Sequence, residues 1–142
     1  MWTNQTAYEA IREYIDVIEK PSISINEGPN SSGPLCRYRS EDGNRCFIGM
    51  LIPDSEWDAR FDLNGELKYV IEHCKPLSRL DLELMRSFQN VHDSQADSEI
   101  FSSKQRVFMK ARLDQIAKNW KLEVKVGHYD VVSKETSGSA RD

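Results

Sequence analysis

Apolar positions along the chain change period three times, and each change marks a predicted element. Between residues 6 and 20, Tyr8, Ile11, Ile15 and Ile18 fall three or four apart, while Glu9, Arg12, Glu13, Asp16 and Glu19 take the positions that face away. That spacing gathers the apolar side chains on one face and predicts an amphipathic helix ended by Pro21. Residues 22–34 are rich in Ser, Asn, Gly and Pro and predict a mobile loop. The period then drops to two. Cys36-Arg37-Tyr38-Arg39 alternates as a half-buried strand does, and Asp42-Gly43 supplies the turn dipeptide of a hairpin. The return run from 46 to 52 is continuously apolar, which predicts a strand covered on both faces and stopped by Pro53.

Helical spacing returns after the hairpin. Asp54 or Ser55 is placed to cap a short turn carrying Glu56 and Trp57, and Asn64-Gly65 breaks it. Leu67, Val70, Ile71 and Cys74 share one face of a short helix that Pro76 closes, so Cys74 reads as a small core residue. Ser78 with Asp81 has capping-box spacing ahead of a stripe of Leu80, Leu84, Phe88 and Val91. Ser102 with Gln105 repeats the box ahead of Met109, Leu113, Ile116 and Trp120. Leu122, Val124 and Val126 alternate with charged residues and predict a final strand over about 122–132. The fold class expected is α+β: three or four helices packed on a small antiparallel sheet made of the hairpin, about 36–52, and that last strand. Residues 1–133 are expected to form one domain. Residues 134–142, with nothing to bury, read as a disordered tail.

Composition narrows the function classes. At 142 residues the chain is long enough to bury a core without staples, and its three cysteines, an odd number, speak against a secreted disulfide framework. The net charge of −4 is modest and both signs interleave, which gives no basic stripe for nucleic acid. No apolar stretch approaches the ~20 residues of a membrane span, and no signal peptide opens the chain, so the expected location is the cytoplasm.

Candidate chemistry lies mostly around the hairpin. With Asp42 and Gly43 as central turn residues, Arg39 would pair with Cys46 and Cys36 with Gly49. The two cysteines would then stand about 10 Å apart, beyond the ~7 Å reach of a disulfide, so both are read as reduced. Cys36, Cys46, His73, Cys74 and His92 have zinc-compatible side chains, but no C-x2-C or H-x3-H pair occurs, and neither metal nor cofactor is expected. A thiol enzyme would use Cys36 or Cys46 as nucleophile, His92 as base and Asp93 or Asp54 to orient the imidazole. Arg37, Arg39 and Arg45 would share one side of the hairpin, able to hold a phosphate or a carboxylate, or else to pair with Glu41, Asp42 and neighbouring acids. The loop at 26–33, with Asn26 and Asn30, and the acidic segment 93–99 are further contact surfaces.

The stretch CRYRSEDGNRCFIGMLIPD, residues 36 to 54, followed by Ser55-Glu56-Trp57, resembles a family of small tailed-bacteriophage and prophage proteins with no assigned activity. The shared motif is Cys, Tyr-Arg, a Gly turn, Arg before a second Cys, Ile-Gly and Leu-Ile-Pro-Asp. Phe88-Gln89-Asn90-Val91-His92-Asp93 matches a later helix of that family, whereas Phe47 and the extended C-terminal strand and tail depart from it. The resemblance implies a phage context. Together with the absence of a catalytic signature, it leads to the expectation of an accessory protein that binds and neutralises a host protein, a defence component, in the manner of an anti-CRISPR inhibitor. The alternatives are a sponge for a phosphate-bearing immune signal nucleotide and the Cys/His thiol enzyme. The sequence leaves homo-oligomerisation open.

Overall fold

A computed structural model of the chain describes residues 1–25, 34–40, 43–96 and 100–124. Helix α1, Asn4–Ile15, starts where Thr3 accepts the Thr6 N–H at 3.1 Å and Thr6 Oγ1 accepts the Thr3 N–H at 2.9 Å, so two of the helix-start donors are satisfied reciprocally. It buries Tyr8, Ile11 and Ile15 as their spacing predicts, and Ile18 is buried beyond the helix end. Each such aliphatic burial is worth roughly 1.5–3 kcal/mol. Helix α2, Arg60–Asn64, closes on Gly65 in the left-handed region at φ 79°, which gives the turn read from Asn64-Gly65 its physical reason. Helix α3 is Leu67–His73, and Cys74 follows it as a buried free thiol.

Helix α4, Leu82–Ser94, is capped by Asp81, whose Oδ1 accepts the Leu84 N–H at 3.1 Å. Asp81 thus takes the cap position that the sequence reading gave to Ser78. Helix α5, Ser103–Asn119, opens with the expected Ser102 and Gln105 box. It packs against both α1 and α4 and buries Met109, Leu113 and Ala117. Its buried Asp114 accepts the Tyr8 hydroxyl at 2.5 Å and Arg12 Nε and Nη2 at 2.8 and 3.0 Å, a bidentate clasp between α5 and α1. Arg106 donates to the Ile15 carbonyl at 2.6 Å and Lys110 pairs with Asp16, so the α5 cations also stabilise the carbonyl end of α1. Trp120, expected on the buried stripe, is 40 % exposed. No helix among the described residues is long and apolar enough to cross a membrane.

The α+β expectation is overturned: the molecule is built from helices. Among the described residues, strand pairing is confined to a three-residue antiparallel ribbon of β1, Ile23–Ile25, with β2, Pro34–Cys36. The backbone of Cys36 pairs with Ile23, not with Gly49. The predicted hairpin shrinks to a single bridge between Arg39 and Arg45, one residue out of the expected register. Across its turn, Ser40 N–H bonds Asn44 O at 2.9 Å and Gly43 N–H bonds Ser40 O at 3.0 Å.

The apolar run from 46 to 52 forms no strand. Met50 N–H bonds Cys46 O at 3.0 Å, and a 3-10 turn covers Gly49–Leu51. A short apolar run has no periodicity to separate strand from buried turn, and here local bonds satisfy its backbone without a partner strand. Gly49 makes this geometry possible: a Cβ there would lie 2.0 Å from the Tyr38 carbonyl oxygen. At the C-terminus, residues 122–124 carry no strand, and the rest of the expected strand and the 134–142 tail lie outside the described residues.

Candidate binding site

Helix α4 turns two faces to different tasks. Leu84, Met85, Phe88 and Val91 enter the core, while Arg86, Gln89, Asn90 and Asp93, three or four apart, line a cleft of about 320 Å³. Arg37, Tyr38 and Cys46 form a second wall, and Gly65, Glu66 and Leu67 at the start of α3 form a third. The cleft therefore lies where the 36–54 stretch meets the 88–93 stretch. Cations, amides and carboxylates all reach it.

A chain of hydrogen bonds fixes the α4 wall. Gln89 Oε1 accepts the Ile48 N–H at 3.1 Å, and Gln89 Nε2 donates to Asp93 Oδ1 at 3.1 Å. His92, fully buried, bonds Asp93 Oδ1 through Nδ1 at 2.9 Å, and its Nε2 accepts the Ser22 N–H at 3.2 Å. An accepting Nε2 carries its lone pair, so the proton sits on Nδ1 and the ring is neutral. The imidazole lies edge-on to Phe47 and Phe101, with centroids 5.4 and 6.1 Å away. Both nitrogens are thus engaged, and His92 is not placed to take a proton from a nucleophile.

Cys46 is equally committed. It is fully buried, its sulfur accepts the Gly49 N–H at 3.3 Å, and burial pushes its thiol up to about 12. A nucleophilic cysteine needs the opposite shift. Cys46 and Asp93 line the same cleft and His92 bonds Asp93, but the bonds they make are those of packing and hydrogen-bond structure. Of Cys36, only the backbone in β2 is described. Among the described residues, no three of His, Cys, Asp and Glu assemble to hold a metal ion.

The three arginines do not form one patch. Arg39 Nη2 and Arg45 Nη2 converge on Asp54 Oδ1 at 2.7 and 3.0 Å, and Arg39 also donates to the Ile52 carbonyl at 3.2 Å. The Arg39 guanidinium lies 4.6 Å from the Trp57 ring centroid. Together they pin the Arg39 to Arg45 bridge to the turn after Pro53. Arg37 alone reaches the cleft. Glu41, Asp42, Asn26 and Asn30, and residues 97–99 of the acidic segment, lie outside the described residues.

Four groups escaped the sequence reading. Arg86 was legible only as part of a polar stripe at helical spacing, which any solvated helix face shows, and Asn90 only as one position of the 88–93 stretch, with no role assigned. Glu66 follows a turn glycine without a motif. Asp62 accepts the Tyr38 and Arg39 N–H groups at 2.7 and 3.3 Å, and a bond to backbone has no side-chain signature to read. No family model, curated protein or solved structure matches the chain.

Proposed function

We propose that this chain is an accessory protein of a tailed bacteriophage that works by binding, neutralising a host defence component in the host cytoplasm, and that the cleft beside α4 is its contact site. One observation carries the reading: the two stretches that resemble the phage family converge on a single cleft rimmed by Arg37, Arg86, Asn90 and Glu66. The groups with catalytic potential, Cys46 in the cleft wall and His92 behind it in the core, are committed to packing and to bonds with Gly49, Ser22 and Asp93. What the cleft offers a partner is charge and amide hydrogen bonding, suited to a polar protein segment.

The test is capture of the tagged chain from expressing bacteria, beside an Arg37→Glu, Arg86→Glu variant, with mass spectrometry and small-molecule analysis of each eluate. The expected result is a stoichiometric host protein retained by the parent chain and lost from the variant. A monodisperse protein without a partner, or one carrying a nucleotide, would overturn the protein-binding reading.

A further inference from the structure

The outer side of α5 carries a second feature, which shares Asn90 with the cleft and is otherwise lined by different residues. Phe108, Arg112 and Ile116 follow one another at intervals of four, so they form one line along the helix, extended in sequence by Lys104 before and Trp120 after. Opposite that line stand Ser87, Asn90, Val91 and Ser94 of α4, and the two walls enclose an open groove of about 440 Å³. Phe108 is 45 % exposed, although the neighbouring line of Met109, Leu113 and Ala117 is fully buried. The groove thus exposes an aromatic and an aliphatic side chain two helical turns apart.

Its charge is one-sided. Helix α5 carries Lys104, Arg106, Lys110, Arg112 and Lys118 against a single acid, Asp114. Arg106, Lys110 and Asp114 are bound to α1, whereas Arg112 is exposed and takes no partner among the described residues. Among the described residues, neither groove wall contains a carboxylate. An occupant must therefore bring an anion to the middle of an apolar stretch. A nucleic-acid backbone would instead need a row of cations, and of the two between Phe108 and Ile116 only Arg112 lines the groove, Lys110 being paired with Asp16.

We propose that this groove receives an amphipathic helix of a partner protein, with apolar anchors at positions i and i+7 beside Phe108 and Ile116 and an Asp or Glu at i+3 or i+4 facing Arg112. The spacing fits. Eight residues of α5 span about 12 Å, and seven residues of a second helix span about 10.5 Å. The small and polar α4 residues let such a helix approach closely, as ridges enter grooves.

Two synthetic helical peptides test this on the full chain, each with Leu at i and i+7 and differing only in Glu or Lys at i+4, followed by backbone and side-chain NMR. The Glu peptide is expected to bind about tenfold more tightly than the Lys peptide, shifting resonances of Ser87, Val91, Phe108 and Ile116. Arg112→Glu should invert the preference and Phe108→Asp should weaken both peptides; these exposed positions leave the thermal midpoint near the parent value. Equal binding of both peptides, no inversion, no binding at millimolar peptide, or shifts confined to the cleft beside Arg86 would overturn the proposal. So would groove contacts to residues beyond 124, or a concentration-dependent dimer through this face, because the chain's own tail or a second copy would then be the occupant.

Discussion

Gly49 is the most tightly enclosed of the described glycines. Its α-carbon faces the Tyr38 carbonyl so closely that a methyl group would fall 2.0 Å from the oxygen. Backbone cannot yield as a flexible side chain does, so Gly49→Ala should cost about 3 kcal/mol, read as a lowered urea midpoint with an unchanged slope. A midpoint within experimental error of the parent would show that the 46–52 turn relaxes freely. The sequence reading made Gly49 a strand residue, since Ile-Gly-Met-Leu-Ile carries no periodicity. What decides its conformation is a carbonyl eleven residues earlier, and backbone atoms leave no trace in a pattern of side chains. Cys46 was legible as either a packing thiol or a candidate nucleophile, but whether it was spent or poised depended on burial, which only the folded chain defines.

Among the elements, α1 and α4 were legible because each buries one clean stripe against the core. Helix α5 was only half legible. It packs on α1 and α4 at once, so a buried acid replaces an apolar residue on one side while Phe108 and Trp120 stay exposed on another. Its end is also unusual. Leu122 N–H bonds Ala117 O at 2.9 Å and Lys121 N–H bonds Lys118 O at 3.0 Å, the bonds of a Schellman stop, with Lys121 at φ 63° where glycine is the common occupant. A side chain in that left-handed region costs about 1–2 kcal/mol, partly offset by the entropy glycine loses on folding. Lys121→Gly should therefore stabilise the protein by about 0.5–1 kcal/mol, seen as a rise in Tm. A fall in Tm would mean that the lysine side chain contributes more than its backbone strain removes.

At the scale of the whole molecule, the helical fold was missed because the expected sheet rested on short signals, the alternations at 36–39 and 122–126, one turn dipeptide and one unbroken apolar run, and the dipeptide and the run are equally compatible with local turns. The same compact packing buries protons along with side chains. Burial lifts the Cys46 thiol from an ordinary value of 9.0 to about 12, and the phenols of Tyr8, Tyr14 and Tyr38 are also raised above 10.0. Above pH 9 the unfolded chain releases these protons before the folded chain does, so rising pH favours unfolding. The contribution of these groups is fully present below about pH 9 and is lost progressively toward about 12. Denaturant midpoints measured from pH 8 to 11 should fall only in the upper part of that range, and a flat profile would contradict the burial of these groups. The side-chain clasps on loop backbone carry one more consequence. Ser22, Tyr38 and Ile48 donate their amides to His92, Asp62 and Gln89, outside any helix ladder. In heavy water the Ser22 and Ile48 amide protons should persist as long as the core of α4 does, and that of Tyr38 as long as α2 holds Asp62 in place, because freeing each requires the helix and its loop to open as one cooperative unit.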